Sequence, residues 1–257
     1  MLNYIKSEFY RVTHTKALYM ILAVLCGLVL LMNLVLMAFL KLTPGFRYGT
    51  FRFSLNTFTA QPMTLLIMGA LVPALLFVDE RRNGALKNAV AYGISRTGIL
   101  LGKCVVCLCA ALFILAGTLI VYIGSAYLLL ENPEWLPVRE MLSAVGAMLP
   151  AAIASMIFVI VVGATGQKEI MIGIWWMDVF ILIPAAVMIL GLKLESFARL
   201  ASWLPYAYLQ NEAIVGYSTY DCLWDKAEGL YRCLLSGALG IVIFLELGIL
   251  KFKKQDI

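Results

Sequence analysis

Charge is the scarcest commodity in this 257-residue sequence, with only 14% Asp, Glu, Lys and Arg, where a soluble domain carries about a quarter. Histidine is nearly absent, His14 being the sole example. There is therefore no H-E-x-x-H string for a zinc protease, and no G-x-S-x-G elbow either. A P-loop is also missing. The nearest string, Gly98 to Cys104, has the wrong spacing and no Ser or Thr after Lys103. Catalysis by this chain alone, resident metal and bound nucleotide are accordingly not expected. No long run alternates apolar with polar residues, which excludes a β-barrel reading. No small-residue cleavage site follows the first apolar run, so that run is expected to stay as an anchor.

What is present is apolar: 63% of the residues are hydrophobic. They gather into six runs, Ala17–Leu40, Gln61–Val78, Cys104–Leu130, Met141–Gly163, Ile170–Leu192 and Gly229–Leu250. A spanning helix needs about 20 such residues, and it satisfies its backbone hydrogen bonds internally. The sequence thus predicts an all-α membrane protein, a single transmembrane domain of six helices. Six crossings put both termini on one side. With the termini in the cytoplasm the inner segments hold twelve Lys and Arg and the outer ones seven, the sense of the positive-inside rule. The net charge of +5 then reports topology and not nucleic-acid binding.

Six cysteines occur, five of them in or at the edges of spans, so no disulfide framework is indicated. Cys104, Cys107 and Cys109 form a C-x-x-C-x-C string. With no His or carboxylate nearby to complete a ligand set, it reads as small apolar filler.

The connections carry more information. In residues 1–16, Leu2, Ile5, Phe9 and Val12 recur at helical spacing, with Lys6, Glu8, Arg11 and Lys16 off that face. This predicts an amphipathic interfacial helix, in contact with lipid or with the bundle. Segment 41–60, with Phe46, Tyr48, Phe51, Phe53 and Phe58, reads as an aromatic loop on the outer surface. Segment 79–103 is longer than a connector requires. Ala85, Leu86, Ala89 and Val90 make a short apolar face there, and Arg82, Asn83, Lys87 and Asn88 point elsewhere. Gly93 ends that helix and Ser95 is placed to cap the next. Two readings fit it, a docking surface or a helix lying on anionic lipid. The outer segment 193–228, interrupted by Pro205, predicts one or two short helices that partly re-enter the membrane.

Three polar residues inside spans stand out. Asp178 sits mid-span beside Trp175 and Trp176. An acid there is a candidate for a pathway or a subunit contact, against a simple hydrogen bond to a neighbouring helix. Glu246, one turn from the inner end, is expected to snorkel or to pair with Lys251 or Lys253. Asn33 is expected to hydrogen-bond between helices.

Taken together, this arrangement resembles the permease subunit of a type-2 ABC exporter. That family sets an amphipathic helix before span one, here with Glu8, Phe9 and Arg11. Its loop between spans two and three has an acidic start, a Gly, a short helix, then Ser-Arg and a later Lys. The matching positions are Glu80, Gly84, Leu86, Ser95, Arg96 and Lys103. Phe252-Lys253-Lys254-Gln255-Asp256 is similar to the family's ending, and Leu204-Pro205 fits its long outer segment. The Asp79-Glu80-Arg81-Arg82 start is more basic than a typical member's.

The resemblance implies a type-2 ABC exporter fold and a separate cytoplasmic ATPase, two copies, which binds ATP and Mg. It also implies a second permease subunit, identical or different, and a multi-pass location in a bacterial plasma membrane. Segment 79–97 would be the coupling helix. Arg82, Lys87 and Arg96 would face acids of the ATPase, and Leu86 and Val90 would supply the apolar anchor. The implied substrate is an amphipathic peptide, drug or lipid-like molecule, with a leaning toward antimicrobial-peptide immunity and export. Two other classes stay open on the residues alone: a six-span scaffold or sensor, and a proton-coupled transporter using Asp178.

Overall fold

An apolar segment in lipid has to close its own backbone hydrogen bonds, and this chain does so with helices throughout. A computed structural model describes residues 2–43, 45–61, 63–77, 93–165, 167–205 and 222–254, the side chains of 252–254 excepted. In chain order the described helices are α1 (Leu2–Thr13), α2 (Lys16–Leu42), α3 (Phe51–Thr59), α4 (Met63–Phe77), α5 (Arg96–Leu129) and α6 (Trp135–Ala164). Then come α7 (Glu169–Met177), a π turn (Asp178–Leu182), α8 (Ile183–Gly191), α9 (Glu195–Ala201), a 3-10 turn (Leu223–Asp225) and α10 (Ala227–Lys254).

Five elements are long and apolar enough to cross a membrane: α2, α5, α6, the continuous α7–π–α8 stretch and α10. The remaining run, Gln61–Val78, carries helix α4. It is preceded by α3 at a bend of 67°. The sequence at the bend is Gln61-Pro62, and a proline disfavours the helical conformation of the residue before it. The aromatic segment expected on the outer surface therefore contains a helix of the bundle. Phe51 and Leu55 are buried among Tyr122, Ala126, Val138 and Met141.

Two devices hold α3 in place. The Thr50 hydroxyl accepts a hydrogen bond from the Phe53 amide at 3.2 Å, a side-chain N-cap. The Phe51 amide donates to the Glu131 carbonyl at 2.9 Å, and the Glu131 amide donates to the Gly49 carbonyl at 3.2 Å. Both bonds reach the short α5–α6 turn, where Asn132 adopts a φ of 54°, a left-handed conformation that Asn tolerates.

Helix α6 is the centre of the molecule. Of its apolar window 61% is buried, against 11% for α2 and 17% for α7–π–α8 and for α10. Backbone approaches on two of its sides depend on glycine. Gly69 of α4 lies directly against the Ala152 carbonyl, and a β-carbon at Gly237 of α10 would come within 2.5 Å of Pro150 Cβ. Small residues at these seams substitute for the hydrophobic driving force that lipid does not supply.

Candidate functional site

The end of the bundle that carries α1 concentrates charge and aromatic contact. Helix α5 has 34 residues, about 51 Å of length, so its first turns extend beyond a hydrocarbon core of about 30 Å. Helix α1 lies across those turns. Gly102 opens the notch: a β-carbon there would come within 2.9 Å of the Tyr4 ring. Tyr4 is buried with Ile99, and Ile94 packs against them. Val12 joins the main core at the other end of α1.

Phe77, the last described residue of α4, completes the arrangement. The Arg11 guanidinium sits 5.3 Å from the centre of its ring and the Lys103 ammonium 5.1 Å. Lys103 is only 4% exposed, a setting in which a cation–π contact is worth about 2 kcal/mol. Glu8 accepts from Arg11 through Nη2 at 2.7 Å and Nε at 3.1 Å, which orients the guanidinium. One helical face thus carries Tyr4, Glu8, Arg11 and Val12 toward the bundle.

The sequence expectation for α1 put Leu2, Ile5, Phe9 and Val12 on an apolar face, toward lipid or the bundle, with Glu8 and Arg11 off it; Ile5 and Val12 pack on the core, and Glu8 and Arg11 turn toward the bundle as well. Leu2 and Phe9 are exposed. The notch at Gly102 and the ring of Phe77 decide which side of α1 faces inward, and neither is visible in the periodicity of α1. Lys103 and Phe77 as joint supports of Arg11 were also missed. A buried cation one turn into an apolar run was the available signal.

Segment 78–92 lies outside the described residues, and with it Glu80, Arg82, Gly84, Leu86, Lys87 and Val90. The described chain resumes at Gly93, whose φ is +79°, a conformation open to glycine. Ser95 caps α5, its hydroxyl accepting from the Gly98 amide at 3.1 Å. Arg96 follows, half-buried. The entry to the segment is therefore gripped by Arg11 of α1 through Phe77, and the exit by Tyr4 of α1 through Ile94 and Ile99.

The three polar residues within spans fare differently. Asn33 is fully buried and closed by its own chain. Its amide nitrogen donates to the Ser125 hydroxyl at 2.8 Å and to the Tyr122 carbonyl at 3.2 Å, and its oxygen accepts from Ser54 at 2.6 Å. The Tyr122 hydroxyl donates to the Ser54 carbonyl. The network ties α2, α3 and α5 together. Glu246 is exposed on α10. It forms no ion pair with Lys251 among the described residues, and the Lys253 side chain lies outside them. Asp178 opens the π turn, half-exposed, and its carboxyl group has no hydrogen-bond or ionic partner among the described residues. Cys104 and Cys107 belong to the core and Cys109 is exposed, so the cysteine string does not converge on one point.

Among the described residues, clefts elsewhere include two of note. One is apolar, between α4, α5 and α6, lined by Leu65, Met68, Val72, Leu108 and Ile153. The other, of about 450 Å³, lies at the far end of the bundle between Phe51, Tyr127, Glu134 and Trp135.

The family model described as ABC-2 family transporter protein matches residues 4–185. The chain belongs to the ABC-2 transporter family. It is a multi-pass membrane protein and a permease of an ABC transporter, a membrane transport subunit that the family pairs with an ABC ATPase. No curated protein matches it. Within that family assignment, α1, Phe77 of α4 and the start of α5 form one packed unit, and in the sequence Phe77 and Gly93 flank segment 78–92.

Proposed function

We propose that this permease works as an exporter in a bacterial plasma membrane, with both termini cytoplasmic, two ATPase subunits below it and a second permease subunit beside it. The substrate we propose is an amphipathic peptide, drug or lipid-like molecule. The observation that carries the coupling part of this reading is the double grip of α1 on the two ends of segment 78–92. A push on a segment held at both ends is delivered to α1, α4 and α5 together. That is what a lever with different contacts in two states requires. The excess of Lys and Arg in the segments on the α1 side supports the cytoplasmic placement of that end.

In this reading Leu86 and Val90 anchor the segment in the ATPase, and Arg82, Lys87 and Arg96 meet its acids. The test is co-purification of the tagged permease with an ATPase encoded beside it. The ATPase is expected in equal amount and is expected to be lost when Leu86 and Val90 become Asp. Charge reversal at Arg96 is expected to reduce ATP-driven export while insertion stays normal. Undiminished export in that variant, or purification free of ATPase under mild conditions, would sink the coupling reading.

A further inference from the structure

The α7–π–α8 span has two unlike sides. Ile172, Trp176, Phe180 and Pro184, at intervals of four, face the bundle. Ile172, Phe180 and Pro184 are buried. The Trp176 indole donates to the Ser155 hydroxyl of α6 at 2.7 Å, and Phe180 meets Phe158 and Phe244 at 5.7 and 5.8 Å between ring centres. In a regular α-helix a four-residue repeat drifts by about 40° per step. The π turn, where the Ile183 amide donates five residues back to the Asp178 carbonyl, winds more widely and keeps Phe180 and Pro184 in line. Pro184 also has no amide to offer the Phe180 carbonyl four residues back, a reason for the helix to widen here.

The opposite side holds Met171, Ile174, Trp175, Asp178 and Leu182. Ile174 is 42% exposed, Trp175 49% and Leu182 51%. This outward stripe thus presents a carboxyl group at mid-span and an indole N–H one turn away, and neither has a partner among the described residues. An acid at that depth facing lipid is costly and calls for a partner. Neither of the two clefts described above borders the stripe. Asn33, Thr118, Ser125 and Ser155, polar residues of other spans, each bond within the chain.

We propose that the outward stripe is where a second copy of this chain packs, the Trp175 indole of each copy donating to the Asp178 carboxyl group of the other. The inference rests on reading the permease as one of a pair and names the surface that pairs. The chemistry is self-complementary. A two-fold axis along the membrane normal brings a surface onto itself, so that residue i meets j and j meets i. Trp175 and Asp178 differ in height by about 4.5 Å, within reach of an indole. The two bonds would form where no water competes, and buried polar contacts of this sort hold spans together in lipid.

The experiment uses cysteine-depleted permease co-expressed with its ATPase, with single cysteines treated in membranes with a short thiol cross-linker. Ile174→Cys is expected to give a covalent permease dimer, and Ile172→Cys, on the bundle side, is not. On the Ile174→Cys background, Asp178→Asn keeps an acceptor oxygen and is expected to stay within twofold of the parent yield. Asp178→Leu and Trp175→Phe are each expected to lower it at least fivefold at equal protein level. No dimer from Ile174→Cys, or unchanged yield in both Asp178→Leu and Trp175→Phe, would overturn the proposal. ATPase pull-down from the same membranes separates the two readings. ATPase bound without cross-linking sinks the interface alone, whereas cross-linking without ATPase supports the interface and sinks the coupling reading.

Discussion

Asn33 and Asp178 are both polar groups set in apolar spans, and the fold completes only one of them. Around Asn33 two other helices supply a donor and two acceptors within 3.2 Å. Around Asp178 the described chain supplies none. The α6 seams contrast in the same way with the outward stripe. Gly69 and Gly237 admit neighbouring backbone, and Gly173 has nothing within 4 Å of where a β-carbon would stand. The difference separates what a single chain holds together by itself from what it leaves for another molecule to cover.

The largest expected effect lies on the completed side. Asn33→Leu removes one donor group and one acceptor together and leaves the Ser54 hydroxyl only the longer contact to the Tyr122 hydroxyl at 3.2 Å. Leaving buried polar groups unmatched costs about 1–3 kcal/mol. Bonds in membrane bundles average less than that individually, so about 2–3 kcal/mol for the group is the expected loss. Unfolding in mixed micelles against increasing SDS measures it. A loss under about 0.5 kcal/mol would mean that α2, α3 and α5 are held by apolar packing alone.

Gly237→Ala comes next. Its β-carbon would meet Pro150 Cβ at 2.5 Å and the Ala151 amide nitrogen at 2.6 Å. Much of that obstruction is backbone, so α10 must move off α6, and overpacking of this kind costs about 1–3 kcal/mol. The same unfolding assay reads it, and thiol labelling of the buried Cys233 should speed up as the seam opens. Wild-type stability with slow labelling would show that the seam has slack.

Ser155→Ala is milder. It removes the acceptor for the Trp176 indole and the donor to the Leu66 carbonyl at 2.9 Å, at a cost of about 1 kcal/mol. The Phe158, Phe180 and Phe244 contacts remain, so α7 should loosen without detaching. The check is a small shift in the SDS midpoint with dimer cross-linking from Ile174→Cys retained.

Much of the fold was legible because bilayer thickness translates directly into run length. The positions of α2, α5, α6, α7–π–α8 and α10 follow from that, and so does Asn33 as a contact between helices. The two interruptions were harder. Helix α3 was hidden because Ser54, Asn56, Thr57 and Thr59 make its segment look like a polar loop, although Phe51, Leu55 and Thr59 already sit four apart. The π turn was hidden because Pro184 within an apolar run does not announce how the helix will accommodate it. The inward side of α1 was set by Gly102 and Phe77, residues of other elements, and no wheel drawn for α1 alone contains them. Asp178 was legible as a residue to watch. Its direction was not, because which side of a span faces lipid depends on the neighbours it packs against.

The smallest expected effect tests the open side. Gly173→Ala meets nothing within 4 Å and replaces a glycine inside helix α7, where alanine is better by about 0.8–1.0 kcal/mol in intrinsic propensity. The single chain should therefore unfold at an equal or slightly higher SDS concentration, the reverse of Gly237→Ala. Two glycines in apolar spans then give opposite signs for the same added methyl group, because one abuts backbone and the other open space. A destabilisation of 1 kcal/mol or more at Gly173 under conditions where the chain is monomeric would place a neighbour beside α7 within the chain itself, and the contrast between the closed and open sides would fail at that point.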